Sequence, residues 1–145
     1  MIALIQRVNF AKVVIEEELY SEIDKGVLAL IGIEKEDCNA SAEKLLERIL
    51  SYRIFSDEEG KMNLSVRDVE GGLMLVSQFT LAAATDKGLR PSFSSAKPPA
   101  EAEQIFNHLL EYAQTNYPKV GCGQFAADMK ISLENDGPVT FRLKV

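Results

Sequence analysis

A chain of 145 residues, 46% hydrophobic and 26% charged, has the size and composition of one soluble globular domain with a real core, spanning residues 1–145. A net charge of −6 and a pI near 4.9 argue against a protein that coats nucleic acid non-specifically, though not against one that grips an RNA end through a local patch. Two distant cysteines, Cys38 and Cys122, and a lone His108 give no metal-ligand pattern, and no run reaches the length of a membrane span or has the form of a signal peptide. These features lead us to expect a cytoplasmic protein with reduced thiols, no metal, no cofactor and no membrane partner.

In chain order, Ile2 to Val8 and Ala11 to Ile15 read as two strands around a short turn at Asn9-Phe10, with Glu16 to Glu18 as a solvated hairpin tip. The continuous apolar run Val27 to Ile33 reads as a central strand, bounded by Gly26 and by the polar Glu34-Lys35-Glu36-Asp37. A first helix starts near Asn39 or Ser41, with Ala42, Leu45, Leu46 and Ile49 on one buried face. Arg53 to Phe55 reads as a brief strand, Ser56 to Gly60 as a turn, and Asn63 to Val69 as irregular.

After the turn at Gly71-Gly72, Leu73 to Leu81 reads as a strand buried on both faces. It carries Ser77, Gln78 and Thr80 where more apolar residues are expected. A buried hydroxyl or amide costs about 1–3 kcal/mol unless it is hydrogen-bonded, so this end of the strand lines a cavity or feeds a local network. Ala82 to Pro99 is the longest stretch without periodicity, and a loop of that length in a compact domain is usually functional. Its Lys87 and Arg90, with Lys97, form a candidate basic patch.

Pro98 and Pro99 suit the start of a second helix, with Ala102, Ile105, Phe106, Leu109 and Ala113 as its apolar stripe and Tyr117-Pro118 as its end. His108 lies between stripe positions and reads as a surface residue. Val120 to Phe125, Lys130 to Glu134 and Val139 to Leu143 read as three closing strands, the last two joined by a tip at Gly137-Pro138. The fold class expected is α+β: a β-rich domain, barrel-like or a layered and mainly antiparallel sheet, with two packed helices.

There is no phosphate-binding glycine loop, no dinucleotide fingerprint, and no histidine well placed to complete a serine triad. A hydrolase built from this chain must rely on backbone groups, hydroxyls, amides and its own substrate.

Three blocks, Ser77-Gln78-Phe79-Thr80-Leu81, Gly88-Leu89-Arg90-Pro91-Ser92-Phe93 and Asn135-Asp136-Gly137-Pro138-Val139-Thr140, resemble the signature segments of the D-aminoacyl-tRNA deacylases. Ile5-Gln6-Arg7-Val8 and Gly60-Lys61-Met62-Asn63-Leu64-Ser65 fit the same family, so the resemblance runs through essentially the whole chain. It implies hydrolysis of the ester between a D-amino acid and the terminal adenosine of tRNA, by a homodimer. It also implies a cis Gly137-Pro138 motif that reaches across subunits, holds the α-amino group with backbone carbonyls, and excludes an L side chain.

The resemblance makes Ser77, Gln78, Phe79 and Thr80 the catalytic segment, with the Phe79 N–H in an oxyanion role. Thr80 is then a nucleophile or, in the reading we prefer, a hydrogen-bonding group, since no base is at hand to take its proton. Gly137, Pro138, Arg7, Phe125 and Met129 are the implied substrate-binding residues. Arg7 braces the Gly-Pro loop or makes a sheet-edge salt bridge. Phe125 and Met129 border the pocket or pack in the core. Many members of the family have glycine where this chain has Ala126. A non-catalytic binder of tRNA ends and a small-molecule esterase are the competing readings.

Overall fold

The run from Val27 is apolar without interruption because the strand it forms is covered on both faces. The computed structural model describes residues 1–145. Its elements are β1 (Ile2–Ile15), β2 (Glu18–Ile23), β3 (Gly26–Gly32), α1 (Asn39–Ser51), β4 (Phe55–Ser56), β5 (Met62–Leu64), β6 (Gly72–Ser77), a short 3-10 helix (Phe79–Ala82), α2 (Pro99–Asn116), β7 (Val120–Cys122) and β8 (Lys130–Lys144). Val27, Ala29 and Ile31 of β3 join Leu73 and Leu75 of β6 in a cluster of 25 buried residues that includes the apolar faces of both helices. The alternate residues Leu28, Met74 and Val76 face a second cluster with Val8, Ala11, Val13 and Ile23.

The main sheet runs β2-β1-β3-β6-β7, with β8 on the other edge of β1. β1 pairs antiparallel with β2, β3 and β8, whereas β3-β6 and β6-β7 are parallel. Parallel neighbours need a long crossover, and the two helices supply one each. β2 and β7 approach closely enough that the Cys122 N–H donates to Ser21 Oγ at 3.2 Å, curling the sheet toward a barrel around the second cluster. The α+β, β-rich and nearly barrel-like expectation therefore holds. No helix is long and apolar enough to cross a membrane.

Several boundaries differ from those read in the sequence. The two N-terminal strands are one strand, β1, and Asn9-Phe10 is a bulge rather than a turn. The register against β8 shifts between Gln6 and Val8 and again between Val8 and Phe10. Ala3 and Ile5 face the helices, while Ala11 and Val13 face the second cluster, so the bulge reverses the inward face without ending the strand. Glu16 and Glu17, with φ of 51° and 68°, do form the hairpin tip, and β2, the strand that returns from it, carries no sequence assignment above.

Leu73 to Leu81 is not one strand either. β6 ends at Ser77, and Phe79–Ala82 turns into the 3-10 helix. Part of the stretch read as irregular forms β5, which pairs with the two-residue β4. β7 stops at Cys122 rather than Phe125. The two C-terminal strands are again one, β8, paired along its length with β1.

The helices start and stop where capping chemistry places them. α1 begins after Cys38, whose N–H donates to Ser41 Oγ at 3.3 Å. α2 has Pro99 at its first position and ends at Asn116. The buried Tyr117 hydroxyl then donates to the Gly71 carbonyl and lies 3.1 Å from that of Val66, which ties the helix end to the start of β6, and burial raises its pKa.

Candidate active site

Because β3 and β6 are parallel, their C-terminal ends open side by side, and a cavity of about 780 Å3 lies there. That volume falls within the range of small-ligand sites, about 300–1,000 Å3. Its floor is Ile31, Ile33 and Val76, and Ser77, Gln78 and Phe79 form one wall. A second wall comes from Phe93 to Pro99 and Ala102, and a third from Phe125 to Met129 with Ile131.

Ser77 and Gln78 are half-buried, and the Gln78 N–H continues the ladder by donating to the Ile31 carbonyl at 2.7 Å. The Phe79 N–H lies in the first turn of the 3-10 helix, where backbone donors have no partner inside the turn. Phe79 is 61% exposed and its ring packs on that of Phe93 with centroids 5.0 Å apart, so the pair forms a rim. Thr80 is exposed and does not line the cavity. Its hydroxyl accepts from Gln78 Nε2 at 2.6 Å.

Phe125 and Met129 serve both alternatives raised by the sequence. Phe125 lines the cavity and packs on the first cluster, 6.0 Å from the Phe106 ring, while Met129 lines it and packs on the second. Gly123 makes room for Met129, since a Cβ there would lie 2.7 Å from its sulfur. Lys35 and Lys97 bring positive charge to the mouth, and Lys97 Nζ donates to the Lys35 carbonyl at 2.5 Å. Nothing in the sequence marked Lys35 and Ile33 as pocket residues, whereas Ala96 to Pro99 belong to the loop read as functional, with Lys97 in its candidate basic patch.

Gly137 and Pro138 lie elsewhere in the chain. They form an exposed bulge within β8, between Asn135 opposite Val8 and Thr140 opposite Gln6, and their peptide bond is cis. The bulge is not a tip between two strands, and it is held by its own chain. Arg7 Nε donates to the Asp136 carbonyl at 2.9 Å and lies 3.2 Å from Asp136 Oδ2, and Nη1 donates to the Ile54 carbonyl at 2.8 Å. From the other side, Asn135 Oδ1 accepts the Val139 N–H at 2.7 Å.

Arg7 is level with Val27 and so with Leu73, whereas Ser77 is level with Ile31. Four residues of strand separate the two levels, about 13 Å, and three inter-strand spacings separate β8 from β6, about 14 Å. Within one chain the Ser77–Phe79 wall and the Gly137-Pro138 bulge do not meet.

Displaced pKa values fall on structural groups. Hydrogen bonds from Lys61 N–H and Asn63 hold Asp57 low in the β4-β5 turn, and those from the Ser65 side chain and N–H hold Asp68 low. Burial raises the Cys122 thiol, and hydrogen bonds with Ser41 lower that of Cys38. None of these groups lines the cavity.

Ala126, in the third wall, has φ of 60°, a left-handed conformation that costs an L-residue about 1–2 kcal/mol relative to glycine. Ala126→Gly is expected to raise the melting temperature by a few degrees, which a thermal scan would read. An unchanged or lower value would mean that the methyl group contributes packing that outweighs the strain.

The fold and site together are those of a β-rich domain backed by two helices, with an apolar pocket rimmed by hydroxyl, amide and backbone donors. Residues 4–144 match the family described as D-Tyr-tRNA(Tyr) deacylase, and the chain belongs to it. The chain is 56% identical over 144 residues to the D-aminoacyl-tRNA deacylase of Stutzerimonas stutzeri, covering 99% of each. It is 52% identical over 145 residues to that of Cellvibrio japonicus, covering 100% of this chain and 99% of the relative. Among solved structures, the c-Myc DNA Unwinding Element Binding Protein superposes with a TM-score of 0.95 at 38% identity, over 100% of this chain and 99% of its own. A probable eukaryotic D-amino acid tRNA deacylase shares the fold, with a TM-score of 0.81 at 14% identity over 98% of both chains.

Proposed function

We propose that this protein hydrolyses the ester of D-aminoacyl-tRNA, and of glycyl-tRNA, to free amino acid and tRNA in the cytoplasm, and that it leaves L-aminoacyl-tRNA intact. The observation that carries the reading is that the Ser77-Gln78-Phe79 segment walls a cavity of the right size in a chain that belongs to the deacylase family from end to end. The terminal adenosine and its ester occupy that cavity, with Phe125 and Met129 against the base. Water attacks the ester carbonyl. The negative charge that develops on the carbonyl oxygen is received by the Phe79 N–H, with Ser77 and Gln78 polarising the same oxygen. The neighbouring ribose 2′-OH assists the attacking water.

Chiral rejection is assigned to Gly137 and Pro138. Their carbonyls hold the α-amino group, and a wall of backbone excludes an L side chain whatever its chemistry. The bulge and the cavity lie apart in one chain, so the motif reaches the pocket of a second copy. A C2 homodimer completes two sites at once. Support for this comes from β8, which pairs on one side only, with β1, and from the exposure of Gly137, Pro138 and Phe141 along it.

The deacylase reading is tested by offering the protein D-aminoacyl-tRNA and a D-amino acid methyl ester. Release from the tRNA ester alone supports it. Tight binding without release would favour a non-catalytic binder of tRNA ends, and cleavage of the methyl ester would favour a general esterase. The shared site is tested by mixing chains with Gly137→Ala and chains with Gln78→Ala, Phe79→Pro in one dimer. The mixed dimer should regain up to one working site, and no recovery would argue against sharing.

Thr80→Ala is expected to keep deacylase activity within about tenfold of wild type, because the hydroxyl points to Gln78, outside the cavity lining, and has no base to activate it. Single-turnover rates would read this. A loss beyond about a thousandfold with D-substrate binding intact would make Thr80 the nucleophile after all. A net charge of −6 disfavours non-specific binding of duplex DNA.

A further inference from the structure

The loop between the 3-10 helix and α2 closes into an arm. Ala84 N donates to the Ser92 carbonyl at 2.8 Å and Ser92 N to the Ala84 carbonyl at 3.0 Å, and Thr85 to Pro91 between them are all exposed. The root of the arm is fastened to the cavity mouth. Phe93 packs on Phe79, the Ser95 hydroxyl donates to the Ala82 carbonyl, and Lys97 N donates to the Ile33 carbonyl at 3.0 Å. The tip extends at most about 13 Å past that mouth, the reach of four residues.

The tip carries an unusual surface for a chain of net charge −6. Neither Lys87 nor Arg90 has a carboxylate within ion-pair distance, a state they share with Lys25, Lys44 and Arg142 elsewhere on the chain, and both stand on one short exposed arm. Asp86 is the arm's one acid, so the arm is net positive. Between the two cations stands Leu89, wholly in solvent at 107% relative exposure, with no protein surface to pack on. Lys35 and Lys97 also stand at the mouth, where Lys97 lies 3.8 Å from Glu101 Oε2 and Asp128 adds a carboxylate to the lining.

Unpaired cations flanking a bare apolar side chain suit a strand that presents phosphates and base faces together. Resting on the deacylase reading, we infer that residues 84–92 clasp the single-stranded 3′ end of the RNA as it leaves the cavity. With the terminal adenosine inside, the nucleotides that precede it emerge past Phe79 and Phe93, directly beside the arm. Lys87 and Arg90 contact their phosphates, and Leu89 lies against a base. The arm adds affinity for the RNA and takes no part in ester cleavage.

The experiment compares a D-aminoacyl-tRNA with the same D-amino acid esterified to adenosine alone. Lys87→Ala with Arg90→Ala should lower kcat/KM about 10- to 100-fold on the tRNA ester, chiefly through KM, and less than about twofold on the adenosine ester. The slope of log kcat/KM against log salt should become shallower by about 1.4, from two phosphate contacts at 0.7 each. Lys87→Arg with Arg90→Lys should keep the wild-type slope. Equal activity of the Ala variant and wild type on the tRNA ester, or equal losses on both esters, would overturn the inference. A wild-type protein that cleaves neither ester would overturn the deacylase reading and the clasp with it.

Discussion

Gly137→Ala is expected to cut D-aminoacyl-tRNA hydrolysis by at least about a hundredfold while leaving the chain folded. Gly137 has φ of +143°, where an L side chain is strained, and a Cβ there would lie 2.6 Å from Val139 Cγ2, 3.0 Å from Val139 N and 3.2 Å from Arg7 Nη2. Neither neighbour can give way cheaply. Val139 is 7% exposed and belongs to the main core cluster, and the Arg7 guanidinium is fixed by two carbonyls. The bulge itself must therefore move. Strain at such a position costs about 1–3 kcal/mol of stability, too little to unfold a typical domain. A displacement of about 1 Å in a positioning group, by contrast, can cost a hundredfold in rate. Release of labelled D-amino acid, with a melting curve as the control for folding, measures both. A variant with wild-type activity would mean that the bulge has no part in the site.

Arg7→Ala should be more damaging to the fold. The side chain is 13% exposed and supplies the donors for the Asp136 and Ile54 carbonyls as well as the partner of the Asp136 carboxylate. Removing it leaves two part-buried acceptors unpaired, at about 1–3 kcal/mol each. A loss of roughly 2–4 kcal/mol, or about 10 °C in melting temperature, is expected, together with loss of activity. Arg7→Lys should recover only part of either, because an ammonium group cannot span both carbonyls as a planar fork does. An unchanged melting temperature for Arg7→Ala would show that the bulge is held by something other than this side chain.

Both helices and β3 were legible because their signals are redundant. An apolar stripe marks both helices, and it agrees with Ser41 near the start of α1 and with Pro99 at the first position of α2. β1 and β8 were each divided in two for a shared reason: a bulge looks like a turn in sequence, though the hydrogen-bonded ladder continues through it. At Asn9-Phe10 the inward face reverses, which periodicity reads as an end. At Gly137-Pro138 the missing proline donor suggests a break, yet β8 is an edge strand, where a proline in a bulge is tolerated. The 3-10 turn at Phe79 was hidden because a short apolar run does not distinguish an extended strand from a tight helix. β2 is exposed on most of its residues, and its Leu19, Tyr20 and Ile23 do not alternate cleanly with polar residues, so no strand pattern stands out.

The candidate site divides along the same lines. Ser77, Gln78, Phe79, Phe125 and Met129 do converge on one cavity, and polar residues at the end of a buried strand were the signal for it. Lys35 was missed because it reads as the polar boundary of a strand, and Ile33 because it reads as the last apolar residue of that strand. The family resemblance linked Gly137 and Pro138 to the cavity, and composition and spacing carry no such link. One chain keeps them apart, and in the proposed function a second copy makes the connection.

The most direct test of the central claim is a single measurement: the rates at which the wild-type protein releases D- and L-forms of one amino acid from the same tRNA. The account predicts rapid release of the D-form and L-release no faster than spontaneous hydrolysis. Comparable rates for both enantiomers would contradict it.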